Sequence, residues 1–542
     1  MNKSERKNNR ISLTVIIAGV IFSFVTAFVF AFGRSYDKTD NIVLTDYYLW
    51  LSFILFFSVS FGLSILFNNV IVKTVTLKTN SFEKRSNKTL KILFIVLPAI
   101  MWILALLACF PGVFSYDCYE EWQMVASGNL STHHPLMHVL ILGGLTELSV
   151  MLTQNGNLGI AVYVILQMIF ALFVLNRVYD FTSSKIQSRI ISVFSLLFYS
   201  FSPIIQLFVI ATTKDSIFAF FELWFLINCF KIQSEKKVSK ILWIEFAISI
   251  LGTLVFRKNG VYIVIPAMIM FIIVASSLRR KLILLFVSLM FIYSIYVFVP
   301  LTFFNVAGTK SAEMLSVPMQ QMTRVYYFEK DELTKEEEDE ITRFIPKSYL
   351  EKYIPTTADS VKLGFDSEEF DYNKIDFFKI WLKLGVKHPM SYINAFLVNT
   401  VDLWYPLAVN DGYRWLYGND ETKSDFFDYR VAEPGNQIVL NKPFNIFYEY
   451  ISTSKKITAN PVASFFLNPG WCLLMWVCLL LKSIFRKDKK LLVFHTAMGM
   501  SILTVLFGPM SMIRYVLIFY LTVPIELLFL FVRDNKEKII SE

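Results

Sequence analysis

Long apolar runs alternate with short polar stretches along the whole chain. A helix rises 1.5 Å per residue, so an apolar run of about 20 residues crosses the roughly 30 Å hydrocarbon layer of a bilayer. By that measure residues 11–33, 50–72, 92–110, 158–176, 190–211, 216–230, 241–256, 261–277, 282–303, 462–481, 491–509 and 515–532 are predicted to span, about 12 helices in all. The expected fold class is an all-α polytopic membrane protein, with no internal repeat visible.

Charge orients the spans. Lys3, Arg6, Lys7 and Arg10 precede the first run, and residues 73–91 carry six Lys or Arg against one Glu. Alternation puts these on one side with Arg177, Lys185 and Arg189, with Lys231, Lys236, Lys237 and Lys240, with Arg279, Arg280 and Lys281, with Lys482 to Lys490, and with Arg533. Basic loops stay in the cytoplasm, so both termini are expected there. The pattern holds only if residues 135–152 do not cross. That run starts at a proline and contains Gly143-Gly144 and Glu147, and is read as a juxtamembrane or re-entrant helix.

Three parts follow: an N-terminal transmembrane module (1–303) with an outer loop (111–157), an extracytoplasmic, mostly helical domain (304–460), and C-terminal transmembrane helices (461–542). Residues 304–460 hold 18 basic and 24 acidic residues. Within them, Thr334 and Glu337 form a capping-box pattern that predicts a helix start. Further helices are expected over 376–387 and 389–403, and the aromatic stretch from Trp404-Tyr405-Pro406 to Trp415-Leu416-Tyr417 suits a membrane-interface belt.

At 55% hydrophobic residues, with 53 Phe, the composition excludes a soluble globular domain. The net charge of +9 sits in the topological clusters, so the chain is expected to meet a lipid bilayer and no nucleic acid. Five cysteines without paired spacing imply neither a disulfide framework nor a zinc site. The first run continues to Phe32 without a small-residue cleavage pattern, and is read as a retained helix rather than a signal peptide.

The candidate chemistry lies just after an outward span. Asp117, Glu120, Glu121, His133, His134 and His138 fall within 22 residues that contain no Lys or Arg. If these carboxylates share a pocket, burial and mutual repulsion raise at least one pKa, as a general base or a divalent-metal ligand requires. Alternatively, Asp117 is a solvated cap. His133-His134 can contact a sugar or phosphate or form a hydrogen-bonded turn, and lacks a third ligand at metal-site spacing. Lys214-Asp215 offers a point charge to a phosphate, or simply a helix cap. Arg257-Lys258 breaks the positive-inside pattern and so calls for an anionic partner, either a lipid headgroup or a phosphate-bearing substrate. Arg324, three residues after Gln321, and Arg514 are weaker cases.

Ser115-Tyr116-Asp117, His134-Pro135-Leu136 and Asn176-Arg177 resemble motifs of the GT-C superfamily of glycosyltransferases, which use polyprenyl-phosphate sugars. Phe256-Arg257-Lys258-Asn259-Gly260, Pro318 to Arg324, and Leu403-Trp404-Tyr405-Pro406 resemble recurring segments of uncharacterised bacterial membrane proteins within or near that superfamily. The resemblance implies a GT-C-like fold in the plasma membrane. It also implies inverting transfer of a sugar from a polyprenyl-phosphate-linked donor to a cell-envelope glycan or lipid on the extracytoplasmic face. Asp117 would be the catalytic base, with Glu120 and Glu121 beside it. His133, His134, Lys214, Asp215, Arg257, Gln321 and Arg324 would bind substrate. A divalent cation, Mg or Mn, with Asp117 as a ligand, is the one cofactor raised, although Asp-Cys-Tyr-Glu-Glu departs from a clean Asp-x-Asp pair. A transporter or flippase of a lipid-linked or anionic substrate, and a polysaccharide polymerase or ligase, are the competing functions. Lys-, Asn-, Ile- and Phe-rich usage fits an AT-rich bacterial genome, and so undecaprenyl phosphate as carrier.

Overall fold

A computed structural model describes residues 13–66, 88–185, 189–235, 237–304, 306–408, 427–458 and 460–531. The N-terminal basic residues, most of the basic cluster within 73–91, Trp415-Leu416-Tyr417 and Arg533 lie outside them. The described residues form helices and isolated bridges, with no strand among them.

The protein is a polytopic helical membrane protein. Eight helices are long and apolar enough to cross: Ile16–Thr39, Tyr47–Leu66, Lys88–Ala108, Leu136–Thr153, Asn157–Ser184, Ser276–Phe303, Lys489–Leu506 and Ile513–Leu530. Two bent pairs, Ile190–Phe201 with Pro203–Ile210 and Pro461–Leu467 with Gly470–Arg486, bring the count among the described residues to at most 10. Length and apolarity alone therefore do not reach the expected 12. Helices Lys240–Val255 and Gly260–Val274 are only 16 and 15 residues long, and Lys214–Ser234 carries four charged residues. Leu136–Thr153, expected to lie at the surface, passes the same test.

The bends have local causes. Pro203 lacks the amide that would continue the preceding helix and opens the next one at a 52° angle. Asn468-Pro469 separates the second pair, which is bent by 58°.

One large core runs through the bundle, from Phe94 and Trp102 to Phe208, Phe225 and Leu521. Residues 304–460 divide among three apolar clusters. Met319, Phe344, Phe377 and Leu384 belong to a second core. Val398, Trp404 and Tyr405 pack with Val29 and Tyr36 of the first helix. Phe427, Tyr429 and Tyr448 join the main core. The capping box forms as expected, with the Thr334 hydroxyl accepting from the Glu337 amide at 3.3 Å and the Glu337 carboxylate accepting from the Thr334 amide at 3.0 Å. The next helix starts at Lys374 rather than 376, and the one after is interrupted at Thr400.

Several loops converge at one end of the bundle. The chain leaving Lys88–Ala108 runs between two others: the Val113 amide donates to the Ile210 carbonyl at 2.9 Å, and the Phe114 amide to the Arg430 carbonyl at 3.1 Å. Gly112 makes this passage fit. It has φ +124°, and a Cβ there would lie 2.5 Å from Val164 Cγ2 and 2.9 Å from the Ile210 oxygen. Gln167 donates to the Val209 and Ala211 carbonyls at 2.9 and 2.8 Å, fixing the turn that leads to Lys214.

Candidate active site

Asp117 caps helix Cys118–Ser127 by position, but its side chain makes no capping bond. Instead its Oδ2 contacts Lys214 Nζ and lies 3.4 Å from Arg514 Nη1. The Asp117 side chain is 31% exposed, whereas that of Arg514 is 3% exposed. Arg514 lies over the rings of Tyr116 and Tyr515, at 4.5 and 4.8 Å, and its Nε is 3.5 Å from Asp215 Oδ2. Asp215 also accepts from the Thr213 hydroxyl at 3.1 Å and pairs with Arg257 Nη1 at 3.0 Å. Carboxylates and cations thus alternate from Lys214 through Asp117, Arg514 and Asp215 to Arg257. Tyr116 holds this arrangement at φ +56°, a strained setting for a bulky residue, while its hydroxyl accepts from the Asp428 amide at 2.9 Å.

The second half of the site lies behind Lys214. His134 is buried, with Nδ1 3.2 Å from Lys214 Nζ and Nε2 3.3 Å from Glu120 Oε2. Glu121, also buried, lies 3.6 Å from Lys214 Nζ and contacts His138 Nδ1. The other ring nitrogen of His138 meets the Tyr163 hydroxyl at 2.8 Å. Gly143 admits this layer, because a Cβ there would come within 2.8 Å of the Glu121 carbonyl oxygen. Glu147 accepts from Trp122 Nε1 at 2.8 Å, which ties helix Cys118–Ser127 to the helix behind it. His133 stands at the rim, 41% exposed by its side chain and 4.0 Å from Glu313.

The carboxylates are not raised in pKa, contrary to the expectation from a loop without cations. Burial pushes the Asp117 carboxyl up, but Arg514, Lys214 and His134 outweigh it and hold it well below the usual range. The hydrogen bond from His134 draws Glu120 down against its burial. Burial also pushes Glu121 up, and His138 and Lys214 more than reverse it. Lys214 and Arg514 come from other loops, which the composition of 111–138 could not reveal.

Of the expected site residues, Asp117, Glu120, Glu121, His133, His134, Lys214, Asp215 and Arg257 come together. Gln321 and Arg324 do not join them. Arg324 is buried, donating to the Asp40 carbonyl at 2.7 Å, to Asn41 Oδ1 at 3.1 Å and to the Tyr353 hydroxyl at 3.2 Å. Gln321 accepts from Trp381 Nε1 at 2.9 Å and donates to the Tyr392 carbonyl at 3.2 Å. Gln321 serves packing within the insertion, and Arg324 ties the insertion to the first helical hairpin. Conversely, Arg514 is central although its sequence signal was weak. The available signal was isolation: no other charge occurs between Lys490 and Glu526, so a cation there needs a distant counter-ion.

Asp117 is poorly suited to Mg or Mn, because Lys214 and Arg514 already occupy its oxygen with positive charge. Glu120, His133 and His134 do bring three ligand atoms within 4.8 Å of one another, a nitrogen-rich set that suits a transition metal better than Mg.

A helical bundle with a buried, alternating charge centre at one end places the chain among polytopic membrane proteins built around a polar site. Its family model spans residues 124–541, and the chain belongs to this family of unknown function, DUF6020. No curated protein and no solved structure matches it.

Proposed function

We propose that the protein is an inverting membrane glycosyltransferase of GT-C type, moving a sugar from a polyprenyl-phosphate-linked donor to a cell-envelope glycan or lipid. On this reading Lys214–Ser234, Lys240–Val255 and Gly260–Val274 also cross and Leu136–Thr153 stays at the surface, giving about 12 spans with both termini cytoplasmic and the site outside. The observation that carries the reading is Asp117: a partly exposed carboxylate kept ionised by cations from two separate loops.

The acceptor hydroxyl attacks the anomeric carbon, and the bond from that carbon to the phosphate oxygen breaks. Asp117 orients the hydroxyl and takes its proton. Its low pKa makes it a weak proton sink, so proton transfer falls late, as the new bond forms. Lys214 and Arg257, with side chains 13% and 11% exposed, stabilise the charge growing on the leaving lipid phosphate. Because both are already ion-paired, binding that phosphate exchanges one anionic partner for another instead of stripping a hydrated cation. A polymerase or ligase would use the same groups on an oligosaccharide donor.

Transport is the second reading, favoured by carboxylates inside the bundle. Glu222 is buried, accepting from the Ser501 hydroxyl at 2.5 Å, and Glu526 is buried against the Thr522 hydroxyl at 2.9 Å. Such groups often serve coupling in transporters.

The test is mass spectrometry of envelope glycans in a deletion strain complemented with wild type, Asp117→Asn or Glu222→Gln at matched membrane levels. Glycosyltransfer predicts that Asp117→Asn loses at least about 100-fold of the modification and that Glu222→Gln keeps it. Retention by Asp117→Asn with loss by Glu222→Gln would replace the enzyme by a transporter.

A further inference from the structure

The insertion bears an apolar stripe that the other described residues leave largely exposed. Helix Lys374–Lys387 turns Phe377, Ile380 and Leu384 into the second core. On another face Ile375, Phe378, Leu382 and Val386 are 72, 40, 58 and 85% exposed. Their spacing of three, four and four residues aligns them along one side of the helix. Four large side chains in line are far more than the scattered apolar residues of a water-facing surface.

Two further observations point to what covers them. The helix carries four lysines against one aspartate, and Lys374, Lys379 and Lys383 have side chains 56, 72 and 59% exposed, paired at 3.2, 3.3 and 3.2 Å with Asp371, Asp376 and Glu337, partners that lipid phosphates would replace. The stripe also continues toward the transmembrane part. Met390 and Ile393 on the following helix, Pro389–Asn399, are 38 and 47% exposed. Asn394 of that helix accepts from the Tyr36 hydroxyl at 3.0 Å and donates to Asn41 Oδ1 at 2.5 Å, at the end of the first span. Beside that turn Tyr47, Tyr48 and Trp50 are 62, 62 and 43% exposed at the start of the second span, as an interfacial aromatic belt would be.

We infer that helix Lys374–Lys387 lies in the interface of an anionic lipid bilayer, its apolar stripe among the acyl chains and its lysines against lipid phosphates. An apolar face with basic flanks is the pattern of interfacial helices, and attachment to the first span keeps the surface within reach. The inference is independent of glycosyltransfer.

The test uses otherwise cysteine-free, full-length protein in phosphatidylcholine–phosphatidylglycerol nanodiscs. It is spin-labelled through Leu382→Cys or Val386→Cys, with Lys383→Cys as the reference on another face. Collision rates are measured with oxygen, which concentrates in acyl chains, and with a neutral nickel chelate, which stays in water. The oxygen-to-nickel ratio is expected to be severalfold higher at 382 and 386 than at 383, and to drop severalfold without phosphatidylglycerol. Equal ratios at the three positions would put the stripe in water and overturn the inference. Labels shielded from both reagents would also overturn it, by placing a second copy or another stretch of protein there. An unchanged ratio in pure phosphatidylcholine would remove the anionic partner.

Discussion

Both ends of the bundle carry ion pairs, yet they differ in how water reaches them. At the end opposite the candidate site, Arg177 meets Glu245 at 2.5 Å and Lys91 meets Asp180 at 2.7 Å. Arg177, Asp180 and Glu245 border a cavity of about 670 Å³, and the side chains of Lys91 and Asp180 are 39% and 27% exposed. At the site end, the side chains of Arg514, Asp215 and Glu121 are 3%, 0% and 1% exposed. Exposed pairs contribute little, about 0–1 kcal/mol, because water screens them. Burying charges costs more than pairing returns unless every member keeps its partner. The far end can lose a charge cheaply, while the site end holds together as a set. A set so costly to bury adds little net stability.

The sharpest break of this contrast is Arg514→Ala. It leaves Asp117 and Asp215 short of a counter-ion and should destabilise the protein by about 3–5 kcal/mol. Lys91→Ala at the other end should cost at most about 1 kcal/mol. Thermal unfolding of the two purified variants in one detergent measures both, and equal losses would erase the distinction.

Acid tests the site end next. Asp117, Glu120 and Glu121 have folded-state pKa values below their unfolded ones, so the stability they contribute is fully present above the unfolded range of about 3.9–4.3. It is lost as pH falls through the lower folded values. The melting temperature should therefore hold from neutrality to about pH 5 as far as these groups decide it, then fall below about pH 4. Asp117→Asn should flatten that acid limb, and an unaltered limb would mean that Asp117 is not held as described.

Arg324→Ala sharpens the comparison from within the insertion. It removes a buried cation whose partners are Asp40, Asn41 and Tyr353, and should cost about 1–3 kcal/mol. Envelope glycans should nevertheless be retained once membrane levels are matched. Their selective loss would restore Arg324 to the substrate site. The smallest effect is Thr334→Ala, which opens the capping box for about 1 kcal/mol, readable as faster amide exchange confined to the start of helix Lys335–Phe344.

The sequence by itself determined the helical, membrane-spanning class, because bilayer thickness sets the length of an apolar run. It also marked the loop with Asp117 and the histidines, and the start of the helix after Thr334, since capping is a contact over three residues. Pro203 signals its own break, which one run over 190–211 passes over; the sequence could not foresee the break at Thr400, nor that Arg324 anchors the first hairpin. Above all, only the tertiary structure decided the charge state of the site. Lys214 reaches Asp117 from 97 residues away and Arg514 from 397. A carboxylate's pKa depends on the charges within a few ångströms of it, and here folding brings those charges from loops far apart in the chain.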